Sequence, residues 1–231
     1  MYWLYIPVLR ACAPCPDGAR DAFQVLLIAE NSRLCRGILS EGKKVKRFIL
    51  ILLLCLSAQA SALEVAGVKL ADSVQVASRD LQLNGAGVRS RFFLDLYITA
   101  LYLPGKSTSF AAVLADGGEK RIALHLLIGI SADHLYSALK NAIAANHTPA
   151  ELGALEAPLK EFAAIFHAID EINKGDVVTL DYLPGSGTLV SVNRVAKGTV
   201  GGAPFYGALL KVWLGDKPAQ ADLKQKLLGG Q

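Results

Sequence analysis

The chain has 231 residues, 52% of them hydrophobic and 19% charged, and a formal net charge of +4; this suits one globular domain and excludes a chain disordered throughout. The whole surplus lies before residue 63, where eight Lys and Arg face four acids, while the remaining 169 residues carry sixteen of each sign. An electroneutral body lacks the phosphate-neutralising excess of a nucleic-acid binder, or of a protein held to anionic membranes by charge. Its expected partner is a small molecule or a protein.

All four cysteines (Cys12, Cys15, Cys35, Cys55) precede residue 63. Cys12 and Cys15 form a C-x-x-C, but no second Cys or His pair follows at ligand spacing, so no metal site is expected. Lys43, Lys44, Lys46 and Arg47 precede an apolar run from Phe48 to Leu56, and Ala60-Ser61-Ala62 is a small-x-small cleavage site. That is the pattern of a secretion signal over 45–62, too short to span a bilayer, which takes about 20 residues. Cleavage after Ala62 predicts a periplasmic or secreted, cysteine-free protein of residues 63–231, with no stable membrane anchor. Residues 1–44 read as a misassigned start or an atypical N-terminal extension.

From Leu63 to Ala77 the pattern is weakly β-like and predicts short edge strands. Leu81–Leu83 and Val88–Leu103 read as two strands joined through Asn84-Gly85, a dipeptide suited to the positive φ of a tight hairpin. Along the second strand Phe92, Leu94, Leu96, Ile98, Ala100 and Tyr102 fall on one face, and Arg89, Arg91, Phe93, Asp95, Tyr97 and Thr99 on the other. A short helix is predicted over Ser107–Ala115 and a strand over Arg121–Ile130. Leu135, Ala138, Leu139, Ala142 and Ile143 then give a helical stripe behind Ser131 as N-cap. Thr148-Pro149-Ala150-Glu151 has the sequence of a capping box. Pro158 is expected to break that helix, and a stripe of Phe162, Ile165, Phe166 and Ile169 runs on towards Gly175 as C-terminal residue. Strands over Asp176–Leu183 and Thr188–Arg194 flank a hairpin at Pro184–Gly187. A helix around Phe205–Trp213 and a polar helix over Ala219–Leu228 end the chain. This order points to an α+β domain, antiparallel strands covered on one face by helices.

There is no G-x-S-x-G, no H-E-x-x-H and no Walker loop. Gly85-Ala86-Gly87 sits between strands and reads as a turn. His125, His134, His147 and His167 share no i, i+4 spacing for a metal. Asn146-His147-Thr148 is a glycosylation sequon. What remains is Arg89 with Tyr97, Tyr136 and Tyr206. A guanidinium on a mixed strand face can hold a carboxylate or phenolate through paired N–H donors, Tyr97 points to the same side, and phenols at element ends line pocket mouths. A surface salt bridge and core-rim tyrosines are the alternative reading of the same residues.

Gly85-Ala86-Gly87-Val88-Arg89 with Phe93–Leu103 resembles the opening of the chalcone isomerase family. Gly175-Asp176, Tyr182–Gly187, Phe205-Tyr206 and Trp213–Asp216 resemble its secreted bacterial branch. The resemblance implies an open-faced β-sandwich, a large antiparallel sheet covered by a layer of helices. It also implies that Arg89 and Tyr136 take the places of the substrate-holding Arg and the enolate-protonating Tyr of a cofactor-free intramolecular lyase, which closes a 2′-hydroxychalcone-like enone by oxa-Michael addition. Tyr97 falls near the family's polar Thr, Ile143 near its Asn, and Tyr206 near its late helix position. The lost Thr and Asn favour the fatty-acid-binding members, which keep the Arg and Tyr for a carboxylate. The leading expectation is therefore an exported binder of a small amphipathic carboxylate or phenolic ligand, without efficient chalcone cyclisation. Arg89 and Tyr136 would be its anchors, Tyr97 and Tyr206 would line the site, and neither metal nor cofactor is implied. An active isomerase and a periplasmic protein-interaction scaffold are the alternatives.

Overall fold

The computed structural model describes residues 63–230; the signal segment, the four cysteines and the N-terminal extension lie outside them. The elements are β1 (Leu63–Val65), β2 (Val68–Leu70), β3 (Ser73–Val76), β4 (Arg79–Arg91), β5 (Leu94–Leu103), α1 (Phe110–Ala115), β6 (Lys120–Leu126), β7 (Ile130–Ser131), α2 (Ala132–Ala145), α3 (Pro149–Ala154), α4 (Glu156–His167), β8 (Glu171–Ile172), β9 (Val177–Leu183), β10 (Gly187–Val192), β11 (Val195–Val200), α5 (Ala203–Leu214) and α6 (Ala221–Leu227). Seven strands form one antiparallel sheet in the order β11-β10-β9-β6-β5-β4-β3.

Both sheet faces are apolar, so β5 reads as a nearly continuous hydrophobic run. Tyr97, Leu101 and Leu103 of β5 and Ile122, Leu124 and Leu126 of β6 face the helices, against Leu139 of α2, Phe162 and Phe166 of α4, and Phe205, Leu209 and Trp213 of α5. Ile98, Ala100 and Tyr102 face the other way, where Leu70 of β2 covers them with Val76, Leu81 and Leu83. The result is the α+β, open-faced arrangement expected, with helices layered on one face.

Several local expectations hold for the reasons given. Ser131 caps α2 by accepting from the His134 N–H. Thr148 and Glu151 form the capping box of α3. The Pro184–Ser186 connection joins β9 to β10.

Others are corrected. Asn84-Gly85 is not a hairpin turn: β4 runs straight through it, with a bulge between Leu83 and Gly85. The turn lies at Phe92-Phe93, whose φ values of 49° and 66° are both left-handed. The single strand read over 88–103 is therefore two, because the chain reverses there, while Ile98, Ala100 and Tyr102 still share one face and Tyr97 lies with Arg89 on the other. The Asn84 side chain instead donates to the Leu227 carbonyl at 2.7 Å, fastening α6 to β4. The strand expected to reach Ile130 ends at Leu126, with β7 separate. The helix break comes at Leu155, three residues before Pro158, which occupies the first turn of α4, where an N–H has no intrahelical partner. Gly175 is a turn residue ahead of β9 and does not end α4; its N–H donates to the Leu126 carbonyl at 2.8 Å. Strand β11 (VAKGTV) is additional; it has little hydrophobic alternation because it is a largely exposed edge strand.

Candidate functional site

Arg89 and Tyr97 are directly opposed across β4 and β5, and directly opposed residues project on the same face of a sheet. They meet through the Phe92-Phe93 turn, not along one continuous strand. A register shift between Arg89 and Ser90 separates Arg89 from Arg91: Arg89 is half-buried, whereas Arg91 is exposed and lies over the Phe92 ring.

The Arg89 guanidinium donates to the Gln220 Oε1 at 3.1 Å and to the Ser90 carbonyl at 2.7 Å. Gln220 precedes α6, and its Oε1 also accepts from the Ser90 N–H at 3.0 Å. On the inner side lies Tyr97, 7% exposed, with Trp213 of α5, 1% exposed. Burial pushes the Tyr97 phenol up from its ordinary pKa; the adjacent Trp213 indole N–H and Arg89 guanidinium oppose that by favouring the phenolate. The Trp213 Nε1 is buried with no partner in hydrogen-bonding geometry, as is the Oγ1 of Thr99, two positions further along β5. A guanidinium, a phenol and an indole N–H thus gather here, and the oxygen that the guanidinium meets at the start of α6 is the uncharged one of Gln220. Buried donors without acceptors are rare in folded proteins and mark places where a partner belongs. Donors of this kind suit a carboxylate or phenolate oxygen.

The other two tyrosines are held elsewhere. Tyr136 of α2 lies in an aromatic cluster, its ring centroid 5.9 Å from Phe162, 6.3 Å from Phe166 and 5.8 Å from the His167 ring. Among the described residues no hydrogen bond or ring contact joins it to Arg89 or Tyr97. Tyr206 of α5 stacks on Tyr182 at 5.2 Å, and its hydroxyl donates to the Leu180 carbonyl at 3.4 Å. Burial and the nearby Asp181 push its pKa well up. Its phenol is therefore spent on the sheet backbone. Beside it, Lys120 donates to the carbonyls of Asp116 and Gly118 and sits over the Tyr182 ring. These residues border a cleft of about 150 Å³. An apolar groove of about 560 Å³ lies between α1, α3 and α5, lined by Leu114, Leu155, Pro204, Ala208 and Lys211 among others, and Arg89, Tyr97 and Tyr136 do not line it. Sequence reasoning found Arg89 and Tyr97 but gave Trp213 and Gln220 no site role. Trp213 carried only the signal of a helical core stripe, and the docking of α6 on β4 is not written in local pattern.

A model of the chalcone isomerase-like family matches residues 62–229. The chain belongs to that family. The chalcone isomerase-like domain is similar to the crystal structure of the fatty-acid binding protein AtFAP1 of Arabidopsis thaliana, with a TM-score of 0.56 and 14% sequence identity, covering 73% of this chain and 96% of that one. At that identity the likeness is one of fold. Comparison with curated protein sequences gives no match.

Proposed function

We propose that this chalcone isomerase-like protein binds a small amphipathic carboxylate, of which a fatty acid is the leading case, with the head group held by Arg89, Tyr97 and the Trp213 indole. The observation that carries this reading is the convergence of the Arg89 guanidinium and the Trp213 indole N–H on the buried Tyr97 phenol, where both favour negative charge. The fatty-acid binding of AtFAP1, a protein of the same fold, supports the ligand class. In the site described, the Gln220 amide oxygen occupies the acceptor's place, and binding displaces it. Tyr136, the second anchor suggested by resemblance, is left as a packing residue of the α2–α4 interface.

The same reading makes the protein a poor cyclisation catalyst. Ile143, at the place of the family's Asn, is fully buried and has no hydrogen bond to give a substrate; Tyr136 is enclosed by aromatic rings. The signal-like segment before residue 63 supports export.

The test is titration of the purified chain with a fluorescent fatty acid. A charge-assisted hydrogen bond contributes about 1.5–3 kcal/mol, so Arg89→Ala is expected to weaken binding about 10- to 100-fold. Trp213→Phe, which keeps most of the ring volume and removes the N–H, is expected to weaken it several-fold. Unchanged affinity in both variants would refute the reading. Acceleration of 2′-hydroxychalcone closure by the parent chain, lost in Arg89→Ala, would replace it with an isomerase.

A further inference from the structure

We infer that the Phe92-Phe93 tip of the β4–β5 hairpin enters the interfacial region of a lipid bilayer, reversibly and without spanning it. Arg91 and Leu94 are paired, so Phe92 and Phe93 form a two-residue connection, and their φ values of 49° and 66° give it type I′ geometry. That turn favours Asn-Gly and disfavours bulky side chains, which crowd the backbone in the left-handed region. Strained residues that the fold itself does not require mark function. The β10–β11 connection supplies a control within the same molecule: its φ values are 51° and 69°, and the residues there are Asn193 and Arg194. The same turn is thus made with polar side chains where nothing apolar is needed.

Phe92 and Phe93 are 80% and 106% exposed, and Leu94 beside them is 58% exposed. The register from Arg89 through Tyr97 to Leu126, continued by the hydrogen bonds of Leu126 with Asp176 and of Asn193 with Val177, puts both turns at one end of the sheet. Of the six large hydrophobic residues exposed among the described residues, Phe92, Phe93, Leu94 and Val195 lie at that end. A convex aromatic tip suits a fluid apolar phase, which closes around it; aromatic side chains carry large apolar area into such an interface.

The charges around the tip fit the same occupant. Arg91, Lys174 and Arg194 are exposed in the turns at this end. The Asp95 carboxylate accepts from Ser90 Oγ at 2.6 Å, and Asp176 accepts from the Asn193 amide at 2.8 Å. The Arg91 guanidinium lies 5.1 Å from the Phe92 ring centroid, an amphipathic pair with its cation placed to meet lipid phosphates. Attachment by aromatic insertion agrees with a body whose total charge is too balanced to be held by charge alone.

The test uses the full chain carrying Phe93→Trp, mixed with phosphatidylcholine vesicles whose acyl chains are brominated, with Ser186→Trp at the β9–β10 connection on the opposite end of the sheet as control. Emission from position 93 is expected to shift to the blue and to be quenched at least about twofold, position 186 to stay unchanged, and added phosphatidylglycerol to strengthen the effect. Position 93 unquenched, or quenched no more than position 186, overturns the inference; equal quenching would assign attachment to another part of the chain. Phe92→Asn with Phe93→Gly should raise the midpoint of thermal unfolding, because the tip is no longer strained. A fall would show that the aromatic pair serves the turn itself and would also overturn it. No fatty acid enters these measurements, so they stand or fall separately from the carboxylate site.

Discussion

Gly85→Ala separates close backbone approach from turn chemistry as the reason for glycine in the Gly85-Ala86-Gly87 stretch. The backbone at Gly85 is not left-handed, so alanine would gain the usual 0.4–1 kcal/mol or so from a less flexible unfolded chain if space allowed. Space does not allow it. An added Cβ would overlap the Lys226 carbonyl oxygen and lie 2.8 Å from the Leu227 carbonyl oxygen, both in the backbone of α6. The helix must therefore retreat, loosening the burial of Leu223 and Leu227, which are 0% and 2% exposed, and the 2.7 Å bond from Asn84 to the Leu227 carbonyl. Each leucine contributes about 1.5–3 kcal/mol and the hydrogen bond about 0.5–1.5 kcal/mol, so complete undocking caps the loss near 4–7 kcal/mol, and partial retreat should cost about 2–4 kcal/mol. At Gly87 the added carbon would meet the Leu223 Cδ1 at 2.9 Å and the Lys226 Cδ at 3.0 Å, both in side chains that can turn aside; about 1 kcal/mol is expected there. Urea unfolding of the two variants, with tryptic cleavage at Lys224 and Lys226 as a probe of α6, measures the difference. Gly85→Ala as stable as the parent, or less damaging than Gly87→Ala, would refute the reasoning.

Three further outcomes follow from other parts of the molecule. Asp181, 3% exposed, accepts two bonds of 2.6 Å from Arg121; Asp181→Ala should cost about 3 kcal/mol by leaving a half-buried guanidinium unpaired, and Arg121→Leu with Asp181→Leu should cost less than that single change in the same denaturation assay. Gln220→Glu places a carboxylate among Arg89, Tyr97 and Trp213, and is expected to lower fatty-acid affinity about tenfold by occupying the site from within, as read by the fluorescent titration. Burial raises the phenols of Tyr97, Tyr102 and Tyr206 above their ordinary 10.0. Groups with raised folded pKa values contribute stability that is complete below the unfolded pKa and is lost as pH rises through the folded ones. Lys120, lowered by burial from 10.5, works in the opposite direction only up to that pH. Stability should therefore decline above about pH 10.5, with buried-tyrosinate absorbance appearing together with the loss of far-ultraviolet circular dichroism; tyrosinate absorbance from all seven tyrosines in a folded chain would contradict it.

The helices were legible because their signals are local: Ser131 and Thr148 with Glu151 announce N-termini by satisfying backbone donors within three residues. The Pro184–Ser186 connection was legible for the same reason. Asn84-Gly85 misled because a bulge in a long strand and a tight turn both favour small or flexible residues, and only the partner strand distinguishes them. Phe92-Phe93 was illegible as a turn, since two aromatic β-formers are the residues that local preference assigns to strand interiors. Arg89 and Tyr97 were placed on one side correctly, although the sequence put them on one strand and the molecule puts them on two. Trp213 joins them through the docking of α5 on β5, and Gln220 through that of α6 on β4. Both are contacts between residues more than a hundred positions apart, on which local periodicity is silent.

The limits of the sheet have a consequence for how the molecule behaves in company. Its margins are β3, four residues long, and β11, which carries Lys197 and Gly198 and meets β10 through a register shift between Val190 and Ser191. A short margin on one side, and a charged, irregular one on the other, offer no straight row of free N–H and C=O groups to a second chain. Gly198 also lets α4 come close, since an added carbon there would lie 2.6 Å from the Ile165 Cγ1. Crowded copies of this domain are thus kept from joining strand to strand into fibres, and the apolar Phe92-Phe93 projection can stay uncovered without seeding a growing sheet.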